Sequence, residues 1–152
     1  MTLRAETILS TLYSQLQSLV PNTVAGVSRH YPYSFNDASL PAVQILMGSD
    51  KPTGDEIPTN LTFQDWDLEV FFDIIIKSTT LPLDTALNNI RLAIHKSIMN
   101  DYTLGLGSSF ILNGYPSAVD APEQRSEGET PVSVMRMGFI FRYRANIKDP
   151  SA

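Results

Sequence analysis

Apolar residues recur every three or four positions near the start of the chain. Ala5, Leu9, Leu12, Leu16 and Leu19 stack on one side of a helix spanning about 4–20, which Pro21-Asn22 ends. A short apolar piece, VAGV at 24–27, leads into RHYPYSFNDASLP, rich in turn formers and aromatics. AVQILM at 42–47 alternates as a strand, with Val43, Ile45 and Met47 on one side. GSDKPTGDEIPTN at 48–60 is a charged Pro/Gly loop. From about 61 to 78 runs a second strand. Next, TTLPLDTALNNIRLAIHKSIMND predicts a helix, with Pro82 at its start, Asp84 in its first turn and Leu83, Leu87, Ile90, Ile94 and Ile98 on its buried stripe. A third strand is expected over 108–115, a polar loop over 115–131, a fourth strand over 132–147 and a short tail at 148–152.

The order helix, two strands, helix, two strands predicts a single α+β domain covering 1–152. Its sheet is expected to be mixed and largely antiparallel, of about four strands, with two helices packed on one face. Two of the strands are unusually long for a domain of this size.

The strand WDLEVFFDIIIKS at 66–78 poses the main question. Trp66, Leu68, Val70, Phe72, Ile74 and Ile76 form a fully apolar face, and Asp67, Glu69, Asp73 and Lys77 lie on the other. Phe71 and Ile75 sit among those acids, so that second face is not simply wet. The last strand carries Arg136, Arg142 and Arg144 on one face and Met135, Met137, Phe139, Phe141 and Tyr143 on the other. Asp65, Asp67, Glu69 and Asp73 match those arginines, and opposite charges on neighbouring strands are mildly favourable. The two strands are therefore expected to be neighbours, or to meet across a subunit boundary. Asp65, Asp67, Glu69, Phe71, Asp73, Ile75, Arg136, Arg142 and Arg144 become candidate subunit-contact residues. The plainer alternative is that the fold itself covers Phe71 and Ile75.

Composition narrows the function classes. The 152 residues are 43% hydrophobic and 18% charged, as in globular domains, and the net charge is −5. Acidity argues against a protein that grips a nucleic-acid backbone, which requires clustered Lys and Arg. There is no cysteine, which excludes a disulfide scaffold, a thiolate nucleophile and a Cys-ligated zinc site. Neither a signal-peptide pattern nor a bilayer-spanning apolar run is present, so a cytoplasm-like compartment is expected and no membrane.

Catalytic candidates are few. His30 lies in the aromatic loop, and His95 falls near the polar side of the second helix beside Arg91 and Lys96. Asp65-x-Asp67-x-Glu69 is the best metal-like cluster, since alternate strand residues point the same way, and a magnesium-dependent nuclease is its functional reading. GLGSS at 105–109 lacks the lysine of a phosphate loop and follows a helix, which makes it a turn. Tyr31, Tyr33 and Phe35 fit anchorage of a loop better than stacking on bases. No enzyme activity, no cofactor and no metal is expected.

With these elements placed, the chain resembles the tail-terminator proteins of long-tailed bacteriophages, the minor tail protein U-like and tail-completion group. The resemblance lies in layout: an amphipathic N-terminal helix, the strand LPAVQILMGSD, a long loop, WDLEVFFDIIIKS, the helix LDTALNNIRLAIHKSIM and the closing strand PVSVMRMGFIFRYRANI. It covers residues 3–147 and includes no short chemical signature. It implies a non-enzymatic virion protein, made in the host cytoplasm, that forms a homo-oligomeric ring, commonly a hexamer, on the head-proximal end of the tail tube. Its partners would be the tail tube protein and the head-side connector or neck protein, with DNA passing through unbound. A head-completion or neck connector protein is the rival reading within the virion.

Overall fold

The computed structural model describes residues 2–29, 37–53, 62–126 and 130–152. His30, Tyr31, Tyr33, Phe35 and the inner parts of the two expected loops (54–61 and 127–129) lie outside the described residues.

Helix α1, Arg4–Leu16, continues into a 3-10 turn at Gln17–Leu19 and buries Ala5, Ile8, Leu9, Leu12 and Leu16 along one stripe. Helix α2, Leu83–Met99, buries Leu87, Ile90, Ile94 and Ile98. Asp84 in its first turn and Lys96 in its last both favour the helix dipole, and Pro82 stands at its N-cap, where a missing N–H costs nothing. The helices meet each other where the Gln15 carboxamide donates to the Ser97 carbonyl.

Among the described residues six strands form one sheet: β1 Gly26–Ser28, β2 Ala42–Pro52, β3 Phe63–Lys77, β4 Ile111–Val119, β5 Glu123–Arg125 and β6 Val132–Asn146. Their spatial order is β1-β2-β3-β6-β4, with β5 also paired to β6. Strand β1 runs parallel to β2, and all other pairings are antiparallel.

This corrects the expectation of about four strands. Strands β1 and β5 are three residues each, too short to show a period of two, and exist because a longer neighbour supplies their hydrogen bonds. The same templating carries β2 through GSDKP to Pro52 and β4 through YPSAV to Val119, both expected as loop. Bulges absorb the misfit in each, between Met47 and Asp50 in β2 and on either side of Asn113–Pro116 in β4.

The centre of the sheet is the β3–β6 pair, in unbroken register from Phe63↔Asn146 to Lys77↔Val132. At about 3.3 Å per residue these strands span roughly 50 Å. Leu68, Val70, Phe72, Ile74 and Ile76 of β3 and Met135, Met137, Phe139 and Phe141 of β6 form the main core with α1 and α2. Phe72 meets Phe139 edge-on at 5.8 Å, and the Phe139 and Phe141 rings stack at 6.3 Å. Full burial of each such side chain contributes about 1.5–3 kcal/mol. His95 differs from expectation: it is half-buried, its ring 5.9 Å from that of Phe139. Residues 104–107 turn the chain from α2 toward β4. Gly105 and Gly107 take positive φ there, and the Asp101 carboxylate accepts from the Thr103 and Gly105 amides.

Candidate functional site

Helices α1 and α2 pack on one face of the sheet, and the second face is covered at one end by Leu40, which follows a 3-10 turn at Asp37–Ser39. That second face collects the odd-numbered residues of β3 and their partners, because period-two alternation and an unbroken register keep opposite residues on one side.

At one end the face closes on itself. Ile75, opposite Val134 and Ala42, is fully buried in a small second core with Leu40 and Val132. Next along β3, Asp73 is also fully buried, and both of its oxygens accept from Arg136: Nε at 2.7 Å and a terminal nitrogen at 3.0 Å.

The middle of the face is different. Phe71 stands opposite Leu46 on one side and Gly138 on the other, half-buried, with the Arg136 guanidinium 4.9 Å from its ring centroid. The two glycines make room for the ring. A Cβ on Gly48 would come within 2.8 Å of it, and one on Gly138 would stand 3.5 Å from it and collide with the Ser117 hydroxyl. Glu69, Ile140 and Tyr115 form the next cross-strand row. Leu46, Phe71, Ile140 and Tyr115 thus make an apolar band across four strands, each partly open to solvent.

Beyond the band the ladder becomes charged again. Asp67 accepts two hydrogen bonds from Arg142, both 2.9 Å, and Asp65 two from Arg144, at 2.8 and 3.2 Å. The carboxylates hold the Arg142 and Arg144 guanidinium groups more firmly protonated than usual, chiefly through these hydrogen bonds. The arginines are therefore engaged within the chain and do not form a free phosphate-binding stripe. Likewise both oxygens of Asp65 and of Asp67 face a guanidinium, an arrangement that opposes cation binding. No group of three or more His, Asp or Glu able to hold a metal occurs among the described residues.

No protein-family model matches the chain, and no curated protein matches it. Among solved structures, a chain from the structure titled "Virion of native gene transfer agent (GTA) particle" is similar to it. The identity is 10%, covering 91% of this chain and 95% of that one, with a TM-score of 0.47. A likeness that distant does not bear on function.

All nine residues singled out from the sequence lie on this one face of β3 and β6. Asp73 and Ile75 are buried within the chain itself, Asp73 against Arg136 and Ile75 among Leu40, Val132 and Val134. The sequence reading missed Leu46, Gly48, Ile140 and Tyr115. Leu46 was legible from its parity with Gln44, but Tyr115 was not, since the bulges of β4 break its alternation.

An open groove of about 650 Å³ lies elsewhere, between α2 and the end of β3, lined in part by Leu40, Pro41, Ile76, Ala86, Ile90 and Ala93. Asn22, Thr23, Lys77, Thr80 and Asn89 also line it.

Proposed function

We propose that the chain is a structural virion protein of a long-tailed phage, a tail terminator that closes as a hexameric ring on the head-proximal end of the tail tube. In this reading the ring ends tube growth and offers the head-side connector its seat, while DNA passes through without being gripped. The observation that supports it is the apolar band Leu46–Phe71–Ile140–Tyr115, left part-open between ion pairs that are already satisfied inside the chain. A face of this kind suits protein contact rather than chemistry: its centre is largely apolar, with the Glu69 carboxylate beside Ile140, and the arginines on either side are paired within the chain. The layout of helices and long strands supports the tail-terminator assignment within that class. Ring closure needs two unlike patches that meet head to tail. The band would be one, and the opposite patch would come from another side of the neighbouring copy.

The test compares two substitutions. Phe71→Asp should leave a folded monomer that no longer assembles, seen by light scattering and negative-stain imaging with and without tail tubes. Ile75→Asp should fail to fold, because that position belongs to the second core. A wild-type protein that stays monomeric at every concentration and forms no ring on tail tubes would overturn the proposal.

A further inference from the structure

The bulge between Met47 and Asp50 changes which way β2 presents its side chains. Beyond it, Asp50 stands opposite Leu68, a core-face residue, so an acid that strict alternation would have placed elsewhere turns toward the helix side. There it reaches diagonally over β3 to Tyr143 of β6, whose hydroxyl donates to Oδ2 at 2.8 Å. The other oxygen, Oδ1, is buried and has no hydrogen-bond partner.

We infer that Asp50 and Tyr143 form a protonation-controlled clasp, holding the outer arm of β2 (residues 48–52) more tightly when the Asp50 carboxyl is neutral than when it is charged. A half-buried carboxylate with one oxygen shielded from water and unpaired carries an uncompensated desolvation cost, and protonation removes the charge that incurs it while keeping the bond to Tyr143. The surroundings supply no counter-charge among the described residues. On β3, Trp66 and Leu68 are uncharged. On β2, Lys51 is opposite Asp67 on the far face. On α1, the Arg4 guanidinium donates to the Arg144 carbonyl and lies 4.4 Å over the Phe110 ring. On β6, burial, aided by the Asp50 carboxylate, keeps the Tyr143 hydroxyl a firm donor, titrating above the ordinary phenol range. Burial raises the Asp50 carboxyl above its ordinary value, and only the Tyr143 hydrogen bond opposes it.

A folded-state value above the unfolded one means that the folded arm binds the proton more tightly, so protection grows as pH falls through the raised value and is lost as pH rises through it. Gly48 of the same arm borders Phe71. A loosened arm would therefore alter the contact band, a consequence that rests on the assembly reading, whereas the clasp itself does not.

Amide hydrogen exchange at residues 48–52, corrected for intrinsic rates, from about pH 3.5, near the ordinary aspartate value, up to about pH 7.5 tests the clasp on monomeric protein. Wild-type protection should rise on acidification, by up to about tenfold for each pH unit by which the carboxyl is displaced. Asp50→Asn should be protected throughout, with no such slope. Tyr143→Phe should keep the slope and move its midpoint upward. A flat wild-type profile, or an equal slope in Asp50→Asn, overturns the inference. Should the variants not fold, the carboxyl carbon of Asp50 in the wild type can be titrated by NMR, and a midpoint at or below that of a free aspartate overturns it equally. Neither result depends on whether rings form.

Discussion

Arg136 and Asp73 are joined by two hydrogen bonds across β6 and β3, but the two side chains are unequally buried. The carboxylate is 1% exposed and the guanidinium 36%. Removing the arginine therefore takes two hydrogen bonds from a buried carboxylate. Arg136→Ala should destabilise the fold by about 3 kcal/mol or more. Arg144→Ala removes the corresponding pair to Asp65, which is 27% exposed, and should cost less than about 1 kcal/mol. Urea unfolding of the two variants checks this, and equal losses would refute the distinction.

Gly48 and Gly138 bracket the Phe71 ring, and they do so on space rather than on backbone freedom. Gly48→Ala puts a methyl 2.8 Å from the ring and 3.0 Å from the Glu69 carbonyl oxygen, so the ring must leave its trough. The expected loss is about 1–3 kcal/mol. Phe71→Ala in the same chain should recover part of it, because the two residues compete for one volume. Strict additivity of the two changes in a double-mutant cycle would show that the ring is not what Gly48 accommodates.

Phe139 meets Phe72, Phe141 and His95 around its ring and is fully buried. Phe139→Ala should destabilise by about 3–5 kcal/mol. Met47, opposite Val70 on the same face of the sheet, is 53% exposed where the helices no longer cover it, and Met47→Ala should change stability by at most about 0.5 kcal/mol. Thermal or chemical denaturation separates the two. A comparable loss at Met47 would mean that something covers that position in solution.

How much of this was legible in the sequence differs by element. The two helices and the β3–β6 pair were readable because each runs far enough for its periodicity to show, and because Asp65, Asp67 and Asp73 stand at the spacing of Arg144, Arg142 and Arg136. That match leaves open whether the strands pair within the chain or across a subunit boundary, and the structure pairs them within it. Strands β1 and β5 and the extensions of β2 and β4 were not readable, since GSDKP and YPSAV become strand only through a neighbour's hydrogen bonds. Nor was the fate of the two misfit residues. Phe71 and Ile75 look alike in the strand, yet Ile75 is enclosed by Leu40, Val132 and Val134 while Phe71 stays part-open above a glycine. That difference depends on residues distant in the chain. The bulge that turns Asp50 inward is likewise invisible in an alternating pattern.

Glu6 and Arg29 tie α1 to the residue after β1 through two hydrogen bonds, 2.5 and 3.0 Å. The hydrogen bond to Arg29 holds the Glu6 carboxyl below its ordinary value of 4.5. Its folded value is depressed, so the tie stabilises fully above the unfolded value and is lost as pH falls through the folded one. The side chains are 46% and 29% exposed, so the contribution should stay below about 1 kcal/mol. Arg29→Gln should accordingly lower stability slightly at neutral pH and flatten the stability profile on the acid side of 4.5. The neutral-pH difference should shrink in high salt, where such exposed pairs are screened. Denaturant midpoints measured across acid pH for both proteins decide it: parallel curves at all pH values would show that the pair does not couple to proton binding.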